Sequence, residues 1–379
     1  MLLIATPARS EPSFGLMSLL LGVFLCTSTL AQQSSKQPFY IGTYTGGDSQ
    51  GIYLSFLDSK TAKLSEPKLV AEIENPSFLA LHPTLDVLYA VSEVAESDHQ
   101  ITAFNIGSDF GLTELSHRST DGGAPCFVSV TADGKSALVA NYSGGSVASF
   151  PLNENGSLGE IRLIQHTGSS VHPRQKAPHG HCILPDPSDQ YAAAVDLGLD
   201  QVLIYKLDEN GLGAKHSVTH FKPGSGPRHI AFHPNGKHAF VIHELTCQLS
   251  TCSWNRKNGM LTESQMLSTL PGDFQKGYST AEVLVHPSGK FVYGSNRGHH
   301  SIAGFRFKRG KLTPISHTDT GGETPRNFRI DPTGKFLLTE NQSTDSIVLF
   351  EIDEKSGELS PADSRITVGS PVCVKFLNR

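Results

Sequence analysis

Two histidines stand one residue apart in the segment "KAPHGHCILP", residues 176–185. On an extended chain, side chains two positions apart share a face, so His179 and His181 are expected to point the same way. Imidazole carries protons near neutral pH, and a histidine pair can also begin a metal site. A metal would need a third ligand, from Glu244 or His243, and no metal motif fixes that geometry. Proton transfer without a metal or other cofactor is therefore the expectation. Three arginines offer the complementary chemistry: Arg228 in "GPRH", Arg297 in "SNRG" and Arg326 in "TPRN". Guanidinium forks suit carboxylate or phosphate because two parallel donors meet two oxygens. Glu244 among such cations would be held ionised, which favours a base over an acid.

These residues are far apart in sequence, and a repeat of about fifty residues is what would bring them together. Its copies read "NPSFLALHPTLDVLYAVSE", "APCFVSVTADGKSALVANY", "APHGHCILPDPSDQYAAAVD", "GPRHIAFHPNGKHAFVIHE", "STAEVLVHPSGKFVYGSNR" and "TPRNFRIDPTGKFLLTEN", with turns starting at His82, Thr131, Asp186, His233, His286 and Asp331. Each is an apolar stretch, a turn and a second apolar stretch. A third β-rich run such as "QVLIYKL" or "SIVLFEI" follows, then a glycine-rich turn and a short fourth strand. No sustained helical period occurs. Four strands per unit at this period predicts a β-propeller. A seventh unit is split across the termini: "SPVCVKFLN" (370–378) matches a first strand, while "PFYIGTYTG" (38–46) and "GIYLSF" (51–56) match a second and third. The expectation is an all-β, seven-bladed propeller of four antiparallel strands per blade, closed by both ends of the chain in one blade.

In such a ring the first strands line a central channel, and the start of each first strand shares a mouth with the end of each second strand. The first set gives Ser77, Cys126, His179, Arg228, Ala281 and Arg326. The second gives Tyr44, Glu93, Asn141, Asp196, His243 with Glu244, Asn296 with Arg297, and Glu340 with Asn341. Structural positions in a repeat should resemble one another, and these differ from blade to blade. His179, His181, Arg228 and Glu244 are the candidate catalytic residues; Arg297, Arg326, His243 and Asn296 are the candidate substrate contacts. The three histidines at equivalent turns, His82, His233 and His286, are assigned to blade geometry instead.

The chain has 379 residues and a formal net charge of -5, which gives no polycationic footprint for nucleic acid. "GLMSLLLGVFLCTSTLA" (15–31) is a short apolar run preceded by Arg9. It predicts a secretory signal over 1–31 cleaved after Ala31, with a single domain over 32–379, an exported location and no membrane partner after cleavage. An uncleaved anchor is the alternative. Removal of that leader leaves Cys126, Cys182, Cys247, Cys252 and Cys373. Five is not a disulfide framework for a chain this long, although Cys247 and Cys252 could pair across a hairpin. "GTYTGG" and "NYSGGS" lead into no helix, so no phosphate loop is expected, and no Gly-x-Ser-x-Gly elbow is present.

From Tyr40 onward, "YIGTYTGGDSQGIYLSF", "NPSFLALHP", "KAPHGHCILPDP", "GPRHIAFHPNGKHAFVIHEL", "YGSNRGHHSIAGF" and "TPRNFRIDPTGKFLLTENQ" resemble the lactonase family of seven-bladed propellers. That family includes propeller-type 6-phosphogluconolactonases and 3-carboxymuconate lactonising enzymes. The resemblance implies a channel-mouth site of one histidine (His179 or His181), two arginines (Arg228, Arg297) and a glutamate (Glu244). Arg326 is added from the ring geometry. It also implies hydrolysis of a sugar lactone, most specifically 6-phosphogluconolactone. Within enzymes, the alternatives are another aldonolactone or a muconate-type cycloisomerase. Outside them, the alternative is a non-catalytic propeller that binds a sugar acid or a protein.

Overall fold

A computed structural model describes residues 9–11, 35–94, 100–273 and 275–377. The predicted leader, 1–31, lies outside the described residues except for Arg9, Ser10 and Glu11. Among the described residues no helix is long and apolar enough to cross a membrane.

Seven antiparallel sheets form the ring. Blade one comprises residues 36–72 and 371–376; blades two to seven comprise 79–119, 125–165, 180–220, 227–268, 279–319 and 325–367. Blade one closes as predicted, with Pro371–Phe376 innermost and paired antiparallel to Lys36–Thr43. Its outer strand is split into Lys63–Leu64 and Lys68–Glu72, both paired to Gly51–Asp58.

The burial pattern follows from where each strand sits. Second and third strands lie between neighbouring blades and are apolar on both faces, as buried sheets require; every residue of Ser136–Asn141 and of Phe336–Asn341 is buried. Outer strands face water on one side and are mostly exposed or partly buried, as in Lys311–Asp319. Apolar contact between blades therefore supplies most of the stabilisation.

The turn histidines have the structural role predicted for them: each Nδ1 accepts from an amide of its own turn, and each also joins its blade to the next. The Nε2 of His82 reaches the carbonyl of Gly134 at 3.0 Å, that of His233 reaches Gly289 at 2.8 Å, and that of His286 reaches Gly334 at 2.7 Å. Each ring thus clasps the equivalent turn of the next blade. Those glycines have positive φ, and a Cβ at Gly289 would lie 2.7 Å from the His233 ring. Asp331 instead binds its own turn, accepting from the amides of Thr333, Lys335 and Phe336.

All five described cysteines are buried free thiols, so the Cys247–Cys252 pairing is not made. Cys252 lies within the strand Gln248–Asn255 and Cys247 immediately precedes it. Five extended residues span about 16 Å, against the roughly 4.4–6.8 Å between Cα atoms that a disulfide needs.

Candidate active site

Two concentric sets of residues build the near mouth of the channel, and each is placed by one repeated backbone feature. The first is a β-bulge near the start of the innermost strand. Pro227 faces His243 and His229 faces Ile242, so Arg228 has no cross-strand partner. The same slip leaves out His181 between Gly180 and Cys182, Arg326 between Pro325 and Asn327, and Cys126 between Pro125 and Phe127. A bulge adds local twist and re-aims the extra side chain, here toward the channel. The register makes His181, not His179, the equivalent of Arg228; His179 lies just before its strand.

The second feature is an amide just beyond the second strand that bonds back to a residue shortly before the first strand. Glu244 donates to Gly226 at 2.7 Å, Tyr142 to Ala124 at 2.9 Å, Glu93 to Asn75 at 3.0 Å and Tyr44 to Ser370 at 3.0 Å. All four acceptor residues have positive φ, a conformation tolerated where surrounding structure enforces it. Arg297 ends its second strand in the corresponding place. The residue one step earlier must point to the opposite face, which determines where His243 and Asn296 go. His243 Nε2 lies 2.7 Å from Ser250 Oγ, and Asn296 donates to Thr269 O at 2.8 Å and Ser301 Oγ at 3.1 Å. Both are buried within their blades, as are Asn141 and Asn341 at the same position. The structure therefore does not bring His243 and Asn296 into the cluster with Glu244. Burial pushes the His243 imidazole down to about 3, so it is neutral.

Glu244 is the electrostatic centre. Its Oε1 lies 2.7 Å from Arg174, and its Oε2 lies 3.0 Å from both Arg228 Nε and Arg297 Nη2. Glu244 and Arg228 are 4% and 3% exposed, Arg297 is 15% and Arg174 is 46%. Burial alone would raise the carboxyl's pKa; Arg297, Arg228 and Arg174 instead hold it well below the usual carboxylate range. It is ionised, as predicted, but a carboxylate shared by three guanidiniums is also a weak proton acceptor.

Arg228 and Arg297 are further fixed by carbonyls, donating to Ala281 O and Thr280 O, each at 2.8 Å. Arg326 is held more loosely. Its sole carboxylate contact among the described residues is Glu93 at 3.8 Å, and it lies over the Tyr44 ring at 5.3 Å. Tyr44 in turn donates to Glu93 at 2.7 Å. Arg326 is thus the cation most available to an incoming anion.

Both histidines of "PHGH" meet one aromatic ring. His179 stacks on Tyr142 at 4.5 Å, and His181 meets it edge-on at 5.4 Å. His179 Nδ1 donates to Tyr142 O at 3.0 Å, a tautomer assigned from its partner. His181 is buried, with Nδ1 3.6 Å from Cys126 Sγ. Burial first, then Arg228, His229 and Arg326, pushes its pKa well below the ordinary histidine value, so it is neutral at pH 7. Under it lies His229, which accepts from Arg228 at 3.2 Å and donates from Nδ1 to Glu282 at 2.9 Å.

Three contributors were not selected from sequence: Arg174, Tyr142 and His229. Arg174 lies in the segment 166–178 between blades three and four, outside the repeat, and also donates to Tyr142 Oη at 2.9 Å. The longest gap between repeat turns, from Thr131 to Asp186, was the available signal for it. Among the described residues no group of three His, Cys, Asp or Glu could hold a metal ion.

Comparison with known proteins points the same way. Residues 38–376 match the family described as "Lactonase, 7-bladed beta-propeller". The chain is 41% identical to the 6-phosphogluconolactonase of Bacillus subtilis over 344 residues, covering 90% of this chain and 98% of that protein. A putative 6-phosphogluconolactonase from Bacteroides fragilis superposes with a TM-score of 0.85 at 33% identity, over 92% of this chain and 99% of that one. The periplasmic gluconolactonase of Pseudomonas aeruginosa does so at 0.86 and 31%, over 90% and 99%. This chain belongs to the lactonase family of seven-bladed β-propellers.

Proposed function

We propose that the protein hydrolyses a sugar lactone, with 6-phosphogluconolactone as the foremost substrate. The observation that carries this is a neutral buried His181 beside Arg228 and Arg326, at a mouth with more guanidinium than carboxylate charge. Arg326 takes the substrate's anionic group. A water molecule attacks the ring carbonyl carbon as His181 accepts its proton, and the developing oxyanion is held by Arg228. Fixed cationic donors of this kind lower the barrier by roughly 3 kcal/mol each. Collapse of the tetrahedral intermediate breaks the bond from the carbonyl carbon to the ring oxygen, and His181 returns the proton to that oxygen. Glu244 holds Arg228 and Arg297 in place, and His179 orients the substrate.

Likeness to a periplasmic gluconolactonase, together with the apolar run at 15–31, supports a second substrate reading: an unphosphorylated aldonolactone met outside the cytoplasm. Acid release from 6-phosphogluconolactone and from gluconolactone, with spontaneous hydrolysis subtracted, separates the two. His181→Asn is expected to lose at least about 100-fold in kcat, with His179→Asn losing less. Arg326→Met should raise KM for the phosphorylated substrate alone. No rate above background on either lactone would overturn the proposal in favour of a binding role.

A further inference from the structure

The far end of the channel holds a second chamber, distinct from the mouth described above. First strands run from one mouth to the other, so Arg329 lies about 10 Å further along its strand than Arg326. The cavity there measures about 390 Å³, and its walls include Phe78, Phe127, Ile230, Glu282, Arg329 and Lys375. His229 forms the floor between the two regions, its ring edge-on to Phe127 at 5.2 Å and to Phe78 at 6.0 Å.

Arg329 and Lys375 share the chamber's lining with the carboxylates of Glu282 and Asp331, and Asp331 accepts from its own turn amides. Glu282 is committed to His229 at 2.9 Å and to the amide of Val283 at 2.9 Å. Neither Arg329 nor Lys375 has an ion-pair or side-chain hydrogen-bond partner among the described residues. Lys375 Nζ instead lies 4.4 Å over the Phe78 ring, which stacks on Phe127 at 4.1 Å. Glu340, close enough to feel both cations, is fully buried and both its carboxyl oxygens lack a hydrogen bond. Burial drives its pKa well up, so it adds no compensating negative charge. Arg329 and Lys375 thus make no direct ion pair beside a wall of stacked aromatic rings. Both cations are partly buried and free of direct pairing, and a carboxylate with a flat apolar body would satisfy the cations and the rings together.

We propose that this far chamber is a binding site for a small aromatic carboxylate, held by Arg329 and Lys375 against Phe78 and Phe127. The test uses the full chain and 4-fluorobenzoate, followed by fluorine NMR titration and by calorimetry. Saturable binding is expected, and the neutral probe 4-fluorobenzyl alcohol is expected not to bind. Arg329→Met and Lys375→Met should each weaken 4-fluorobenzoate by at least about tenfold, the loss of one charge-assisted hydrogen bond. Lys375→Arg should retain binding, and Arg174→Met at the opposite mouth should leave it unchanged. Equal binding of the neutral probe would overturn the proposal, as would tighter binding of gluconate, which lacks the aromatic body. So would loss of binding in Arg174→Met with retention in Arg329→Met. The comparison of probes uses the unaltered protein, so it holds even if a variant does not fold.

Discussion

Replacing Glu244 with glutamine keeps the side chain's shape and removes one charge from among three guanidiniums. At 3.0 Å and an effective dielectric of 20, each of the pairs with Arg228 and Arg297 corresponds to about 5.5 kcal/mol of Coulomb energy. The cost of dehydrating the ions opposes that, and breaking a buried pair by removing one partner amounts to about 3–5 kcal/mol net. Arg174 adds little because it is half exposed and water screens it. Glu244→Gln should therefore destabilise the propeller by about 3–5 kcal/mol, whereas Arg174→Met should change stability by less than about 1 kcal/mol. Urea denaturation monitored at Trp254, with far-UV circular dichroism as a second probe, measures both. In the Glu244→Gln, Arg297→Met double variant, the second change removes a stranded cation. It should cost less than the sum of the single changes. A loss below about 1 kcal/mol for Glu244→Gln, the value of an exposed pair, would refute the buried-cluster account.

Three further outcomes are expected. His233→Ala deletes the clasp to Gly289 O and leaves that carbonyl without its side-chain partner, a loss of about 1–3 kcal/mol by thermal denaturation; His238→Ala should have a much smaller effect. Gly289→Ala puts a methyl group against the His233 ring at a positive φ and should destabilise by at least about 1 kcal/mol; an unchanged melting temperature would count against the clasp. Burial holds His229 down to about 4, so between about pH 6.5 and 4 the unfolded chain binds a proton that the folded one does not. Stability should fall as pH drops through that window, by about 3 kcal/mol from this residue alone. Denaturation midpoints measured across that range would show a weaker slope in His229→Asn, and an unaltered slope would contradict the assignment.

The ring architecture was legible because each blade repeats one apolar pattern, and the split blade was legible because both fragments keep it. Arg228, Glu244, Arg297 and Arg326 stood out because they break the repeat at positions the strand order brings together. His243 and Asn296 do not join them, for a reason that lay within reach. Asn141, Asn296 and Asn341 are the same residue at the same place in three blades, which marks an anchor within the blade, and strict alternation turns that position away from Glu244. The ring equivalence of His181 could not be read from sequence, since a bulge shifts register by one residue without altering apolar periodicity. Arg174 was missed because its segment belongs to no repeat, so no neighbouring blade predicts where its side chain goes.

The innermost strand of blade one, Pro371–Phe376, is synthesised last and pairs with Lys36–Thr43, which is synthesised early. Until those final residues emerge, the first blade lacks its channel-facing strand and the inner edge of Lys36–Thr43 stays unpaired. Completion is therefore read out at the end of synthesis. A chain that stops a few residues short lacks the strand that completes the first blade, and its exposed edge marks it for proteolysis or aggregation. The same dependence gives the chain a long interval in which it stays unlocked.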